Sequence, residues 1–262
     1  MSFTVRTTTA TLAVVYVVRT ERLSPNFVRV TVGGEQLASL PHHGFDHWFR
    51  LFLPNAHERT SFDLPSRVDM IGYLKFLRMP EAVRPIMRNY TVREFRPEVN
   101  ELDIDFVTHG DEGVAGRWAA TATVGERVAL LDQGRGYEYP DETTAHLLVS
   151  DETGLPAVAG ILRDLPRDAT GAAYIEIPHA DDEQPTGAPD GVEVHWVVRD
   201  HGARPGSAVL EVAKSKPIPQ GTLAAYLVGE QLLPTSLRRW LVQEHDVPKQ
   251  SITFVGYWKM AK

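Results

Sequence analysis

The feature that most limits how this chain can fold is a change of hydrophobic pattern near Asp141. Before that point, short runs rich in β-branched and aromatic residues recur between turn signals. They cover 11–19 (TLAVVYVVR), 27–32 (FVRVTV), 47–53 (HWFRLFL), 88–93, 101–108 and 126–131. Ser24-Pro25-Asn26, Gly33-Gly34 and Pro54-Asn55 punctuate them, as strand ends require. Several such strands in a row predict a small antiparallel barrel or sandwich. One short helix, opened by glycine, interrupts them at 114–122.

After Asp141 the strands become continuous apolar runs, the mark of burial on both faces. Residues 145–150 (AHLLVS) are followed by a helical stripe through Leu155, Val158, Ile161, Leu162 and Leu165. Strands are expected at 172–177, 192–198, 222–228 and 251–257, with helices at 207–213 and 236–244. Alternation of this kind predicts a parallel sheet with helices on its faces. The expected fold is therefore a two-domain β plus α/β chain. An antiparallel β-barrel spans 1–137 and an α/β parallel-sheet domain spans 138–262, joined near 134–144.

Composition excludes several functions. Among 262 residues, 43% are hydrophobic and 23% charged, the balance of a globular protein. With 27 Lys and Arg against 34 Asp and Glu, the net charge of -7 argues against duplex nucleic acid as a partner. The absence of cysteine excludes thiolate nucleophiles and cluster ligation on this chain, and it fits a reducing compartment. No apolar run approaches the length of a membrane span, and the start lacks the apolar core of a leader, so a cytoplasmic protein without membrane contact is expected. A monomer is the working expectation.

Two segments carry chemistry. In Arg88-Asn89-Tyr90-Thr91-Val92-Arg93, a guanidinium fork suits a phosphate and an aromatic face suits a flat ring, while Thr91 offers a hydroxyl. An ordinary amphipathic strand would read the same way. In 106–119 (FVTHGDEGVAGRWA), a strand ends, a glycine loop turns and a helix begins, an arrangement whose free amides favour an anion. One diphosphate could be held between Arg88 and that loop. His42, His43 and His47 lack metal-ligand spacing and read as solvated or hydrogen-bonded, so no metal ligand is assigned. No nucleophile elbow or Walker loop is present, and no residue is assigned as catalytic.

These segments, together with Asp151-Glu152-Thr153-Gly154-Leu155-Pro156-Ala157, Val194-His195-Trp196, Gly229-Glu230 and Val255-Gly256-Tyr257-Trp258-Lys259, resemble in order the motifs of the siderophore-interacting protein family. Its members are FAD enzymes with a ferredoxin-reductase-like fold. The resemblance implies an FAD-binding barrel followed by an NAD(P)H-binding-like domain, with electrons from NAD(P)H or ferredoxin reducing a ferric siderophore and releasing Fe(II). It implies a cofactor site of Arg88, Tyr90, Thr91, Val92, Val107, His109, Gly113, Ala115, Gly116, Trp118, Asp151 and Thr153. Arg50, Arg117 and Lys259 fall at basic positions and are implied to meet the anionic substrate. The family's serine and proline in the loop are Gly116 and Val114 here, which predicts weaker phosphate contacts. Arg199 is a candidate for a ribose phosphate. A general NAD(P)H–flavin oxidoreductase and a non-enzymatic siderophore-binding protein are the alternatives.

Overall fold

The structure, a computed structural model, describes residues 11–55, 59–64, 70–108 and 113–260. The chain divides into two compact units. The first comprises Met1–Leu23, Phe27–His43 and His47–Arg135, and the second Ser24–Asn26, Gly44–Asp46 and Gly136–Lys262.

In the first unit, β1 (Leu12–Ser24), β2 (Phe27–Gly33), β3 (Trp48–Leu53), β4 (Ile86–Thr91), β5 (Glu94–Arg96), β6 (Glu101–Val107) and β7 (Arg127–Asp132) form one antiparallel sheet in the order β4-β3-β7-β1-β2-β6-β5. Alternate side chains of these strands fill a common core that includes Val15, Val30, Leu51, Ile104 and Leu130. The sheet curls until its two ends meet. The Tyr90 and Phe106 rings lie 4.4 Å apart, and the Arg93 amide just past β4 donates to the Asp103 carbonyl on β6 at 2.9 Å. The result is a seven-stranded barrel. Helix α1 (Met70–Leu77) sets Phe76 against Phe52 with ring centroids 5.7 Å apart, and α2 (Val114–Thr121) buries Ala115 and Ala119 against the core.

The β2–β6 pair shows how strand period dictates chemistry. Asp103 and Asp105 are two residues apart and so share a face, opposite Thr31 and Arg29. Arg29 clasps Asp105 with two bonds of 2.7 and 2.9 Å, while Thr31 and Arg96 donate to Asp103. Burial alone would raise the Asp103 pKa, but the donors outweigh it and hold this carboxyl below its ordinary 3.8.

The second unit is a parallel sheet of β8 (Ala145–Ser150), β9 (Thr170–Ile177), β10 (Gly191–Val198), β11 (Leu223–Glu230) and β12 (Ile252–Trp258), in the order β10-β9-β8-β11-β12. Every residue of β8 and of β11 is buried, as their unbroken apolar runs require. Helices α3 (Leu155–Asp164), α4 (Ser207–Ser215) and α5 (Leu232–Glu244) pack on it. Strand order reverses between β8 and β11, the doubly wound arrangement whose ligand crevice lies at the carboxyl ends of the strands. Helix α5 starts four residues before the expected position because Pro234 sits in its first turn, where a missing amide hydrogen costs nothing.

Candidate functional site

Strand β4 delivers Arg88, Tyr90 and Thr91 to the outer edge of the barrel sheet. Arg88 is exposed and its guanidinium donates to the Met87 carbonyl at 2.8 Å; no carboxylate pairs with it among the described residues. Tyr90 packs on the core, and burial pushes its phenol far above the ordinary 10.0. Thr91 is buried and Val92, immediately after the strand, is part of the core.

The structure brings the second motif to the same place through Phe106, a residue that sequence reasoning did not single out for a role. Its ring stands between Tyr90 at 4.4 Å and Trp118 at 5.5 Å, so β4, β6 and α2 share one aromatic cluster. Trp118 is further fixed by an indole N–H bond to Glu126 of 3.0 Å. Gly113 precedes α2 in an extended conformation and supplies no side-chain cap, which leaves the first-turn amides without that partner. Ala115 and Gly116 are buried there. A Cβ at Gly116 would lie 2.8 Å from the Val107 carbonyl oxygen, so glycine lets α2 press onto the end of β6. A guanidinium with no carboxylate partner among the described residues, an aromatic cluster and a helix start without a side-chain cap from Gly113 lie on one unit and fit a ligand with a flat ring and a diphosphate. His109 lies outside the described residues.

Asp151 and Thr153 belong to the carboxyl edge of the second sheet. The Asp151 carboxylate is buried and accepts from the Thr153 amide (2.9 Å) and hydroxyl (2.5 Å), the Glu230 amide (2.6 Å) and the Trp258 indole (3.1 Å). It thereby ties together the ends of β8, β11 and β12. Burial, aided by neighbouring Glu152, raises its pKa to about 7 against the pull of these donors. Arg199 is not available to a ribose phosphate. Its guanidinium bridges Glu152 (2.7 Å) and Glu176 (2.7 Å) with side-chain exposure of 10%, and Glu176 also accepts from the Gly206 and Val209 amides at the start of α4. A buried carboxylate at a helix N-terminus demands such partners, and Arg199 supplies the charge.

The three basic positions differ in setting. Arg50 is half-buried on β3, where burial lowers its pKa from 12.5. Arg117 is exposed on α2, and Lys259 is exposed just beyond β12. Arg50 and Arg117 belong to the first unit and Lys259 to the second.

His47 is buried and its Nε2 lies 2.7 Å from Asp132 at the end of β7; His43 Nε2 lies 3.4 Å from the other oxygen of the same carboxylate. Burial lowers the His47 pKa from 6.5, with Asp132 opposing. His42 instead packs edge-on against Phe95 at 5.7 Å. No local sequence signal joins residues 47 and 132, which lie 85 apart in sequence.

A barrel followed by a doubly wound sheet is the ferredoxin-reductase-like class of fold. The chain belongs to the siderophore-interacting protein family. The siderophore-interacting FAD-binding domain matches residues 16–136, and the siderophore-interacting protein domain matches 143–261. The chain is 32% identical over 250 residues to the ferric vibriobactin reductase ViuB of Vibrio cholerae, covering 94% of this chain and 88% of the relative. It is 29% identical to the NADPH-dependent ferric-chelate reductase of Escherichia coli, over 92% and 91% of the two chains. A siderophore utilization protein from T. fusca matches in structure with a TM-score of 0.81 at 34% identity, covering 99% of this chain and 97% of the other. No helix among the described residues is long and apolar enough to cross a membrane.

Proposed function

We propose that this chain is an FAD-dependent reductase of ferric siderophores that draws electrons from NAD(P)H or a ferredoxin and lets the iron leave as Fe(II). The observation that carries this reading is the Tyr90–Phe106–Trp118 cluster that joins β4 to α2 on the barrel, with Arg88 exposed on β4 and the start of α2 lacking a side-chain cap from Gly113. In this reading Arg88 and the first amides of α2 hold the diphosphate, with His109, Gly113, Ala115 and Gly116 forming its loop. Tyr90 offers its ring, Thr91 its hydroxyl and backbone, and Val92, Val107 and Trp118 the apolar walls. Asp151 and Thr153 are proposed as the cofactor-side residues of the second unit, positioned by their bonds to one another. Bound FAD supplies the one-electron transfers that ferric iron requires.

The protein performs little acid–base work in this scheme. Arg50, Arg117 and Lys259 attract an anionic chelate against the net charge of -7. Hard oxygen ligands hold the ferrous ion less tightly than the ferric ion, so reduction releases it. The test is anaerobic. Yellow protein is mixed with NADH, NADPH or reduced ferredoxin, then with a ferric siderophore, while flavin absorbance is followed. Bleaching by one donor and recovery on adding the chelate is expected. A reduced flavin that ferric siderophores cannot reoxidise would sink the proposal.

A further inference from the structure

The His43, His47 and Asp132 cluster plays no part in the scheme above, yet it has the make-up of a ligand set. Two elements bring it together. His47 directly precedes β3, Asp132 ends β7, and Phe49 of β3 stands opposite Asp132 in the register. The Trp48 amide donates to the Gly134 carbonyl and the Gln133 amide to the Trp48 carbonyl, which locks the two strand ends side by side. Between the histidines, Gly44 and Phe45 both take positive φ, 64° and 51°, and this turn folds His43 back over His47. The imidazole rings stand perpendicular with centroids 4.7 Å apart.

The donor atoms lie close together. One nitrogen from each histidine and a carboxylate oxygen all lie within 4.8 Å of one another. Asp132 Oδ1 is fixed by the Gly134 amide at 3.0 Å and faces His47, while Oδ2 faces His43 at 3.4 Å, too long for a strong hydrogen bond. Donors about 2.1 Å from a metal ion stand about 3.0 to 3.4 Å apart; the 3.4 Å between His43 and Asp132 falls at that spacing, and the 2.7 Å hydrogen bond of His47 to Asp132 would open slightly as an ion replaced its proton. His47 and Asp132 are 1% and 2% exposed, and His43 at 35% leaves a way in from solvent. Two imidazoles and one carboxylate suit borderline divalent ions such as Fe(II), Co(II) and Zn(II), not the all-oxygen preference of Ca(II) or Mg(II).

We infer that His43, His47 and Asp132 form a binding site for one divalent transition-metal ion, with solvent completing its coordination. The site adjoins the candidate flavin strand, because the His47 carbonyl accepts from the Val92 amide at 2.8 Å, one residue past β4. Ferrous iron is the occupant that the proposed reaction would deliver there; this clause alone rests on the reductase reading. Sequence inspection passes over the site because two histidines at i and i+4 in a loop show no third ligand until β7 is laid beside β3.

Calorimetric titration of the FAD-loaded full chain with Co(II) tests the site without any electron donor. One Co(II) per chain is expected, with affinity reduced at least tenfold in His43→Ala and in Asp132→Asn. His43 is partly exposed, so H43A should retain the fold, which circular dichroism verifies. Paramagnetic broadening of the His43 and His47 ring signals should accompany binding. Absence of saturable Co(II) binding at millimolar concentration, or unchanged affinity in His43→Ala, overturns the inference. A chain that binds Co(II) but never reduces a ferric chelate leaves the site standing and removes the reductase reading.

Discussion

In the barrel, Arg88 stands exposed on an edge strand with no carboxylate partner among the described residues, whereas in the α/β unit Arg199 is held between Glu152 and Glu176 with little access to water. In the sequence Arg88 is a candidate for a diphosphate and Arg199 for a ribose phosphate. The difference teaches that a cation becomes a binding group only where the fold leaves it without an internal anion. Beyond Arg199, Arg204 of the α/β unit is also tied to a carboxylate, that of Glu230, at the same carboxyl edge. The barrel pairs Arg29 of β2 and Arg96 of β5 with carboxylates of β6, and Arg88 of β4 is not part of that ladder.

The comparison breaks most visibly if Arg199 is removed. Arg199→Ala leaves two buried carboxylates short of a counter-charge and should cost about 3 to 5 kcal/mol of folding stability. Urea denaturation measures this, and FAD content per folded chain should be unchanged. Arg88→Ala should do the reverse. Loss of a charge-assisted phosphate contact weakens FAD binding by about 1.5 to 3 kcal/mol, roughly 10- to 150-fold, with stability of the flavin-free chain preserved. Fluorescence titration with FAD decides it, and equal affinity in the two proteins would erase the contrast drawn here.

A subtler separation comes from pH. Asp151 binds its proton more tightly folded than unfolded, since its pKa rises from an ordinary 3.8 to about 7. Its contribution to stability therefore falls as pH climbs from about 4 through 7 and then levels off. Asp103 in the barrel is held below 3.8, so its contribution is present above that value and is lost on further acidification. Urea midpoints between pH 5 and 8 should decline in the native chain and flatten in Asp151→Asn; a slope that survives the substitution rules the assignment out. The smallest effect belongs to Arg19, whose pair with Glu101 at 2.8 Å is half open to solvent. Arg19→Ala should change stability by less than about 1 kcal/mol, and by less still in high salt.

Legibility in the sequence followed the physics of each element. Strand β8 could be read to the residue because burial on both faces writes an unbroken apolar run. Strand β5 has three residues and α1 only eight, too short for a period to register, and both went unread. Strand β1 extends to Ser24, five residues past its apolar run, because its far half is exposed and carries no hydrophobic signal. At the candidate site, the residues of β4 and α2 stand in motifs that a local reading can register. Their meeting through Phe106, the capture of Arg199 and the pairing of His47 with Asp132 all depend on strands distant in sequence. Such contacts leave no local mark.

The barrel's closure has one more consequence. The strand that offers Arg88, Tyr90 and Thr91 is also the last stave of the sheet, and the Arg93–Asp103 bond, the Arg93–Asp105 ion pair and the Tyr90–Phe106 contact join its end to β6. A molecule lying along it would take the part of a neighbouring strand. Emptying the pocket would then bare a ribbon of unpaired main-chain groups, so a stripped preparation should stick to itself before it unravels.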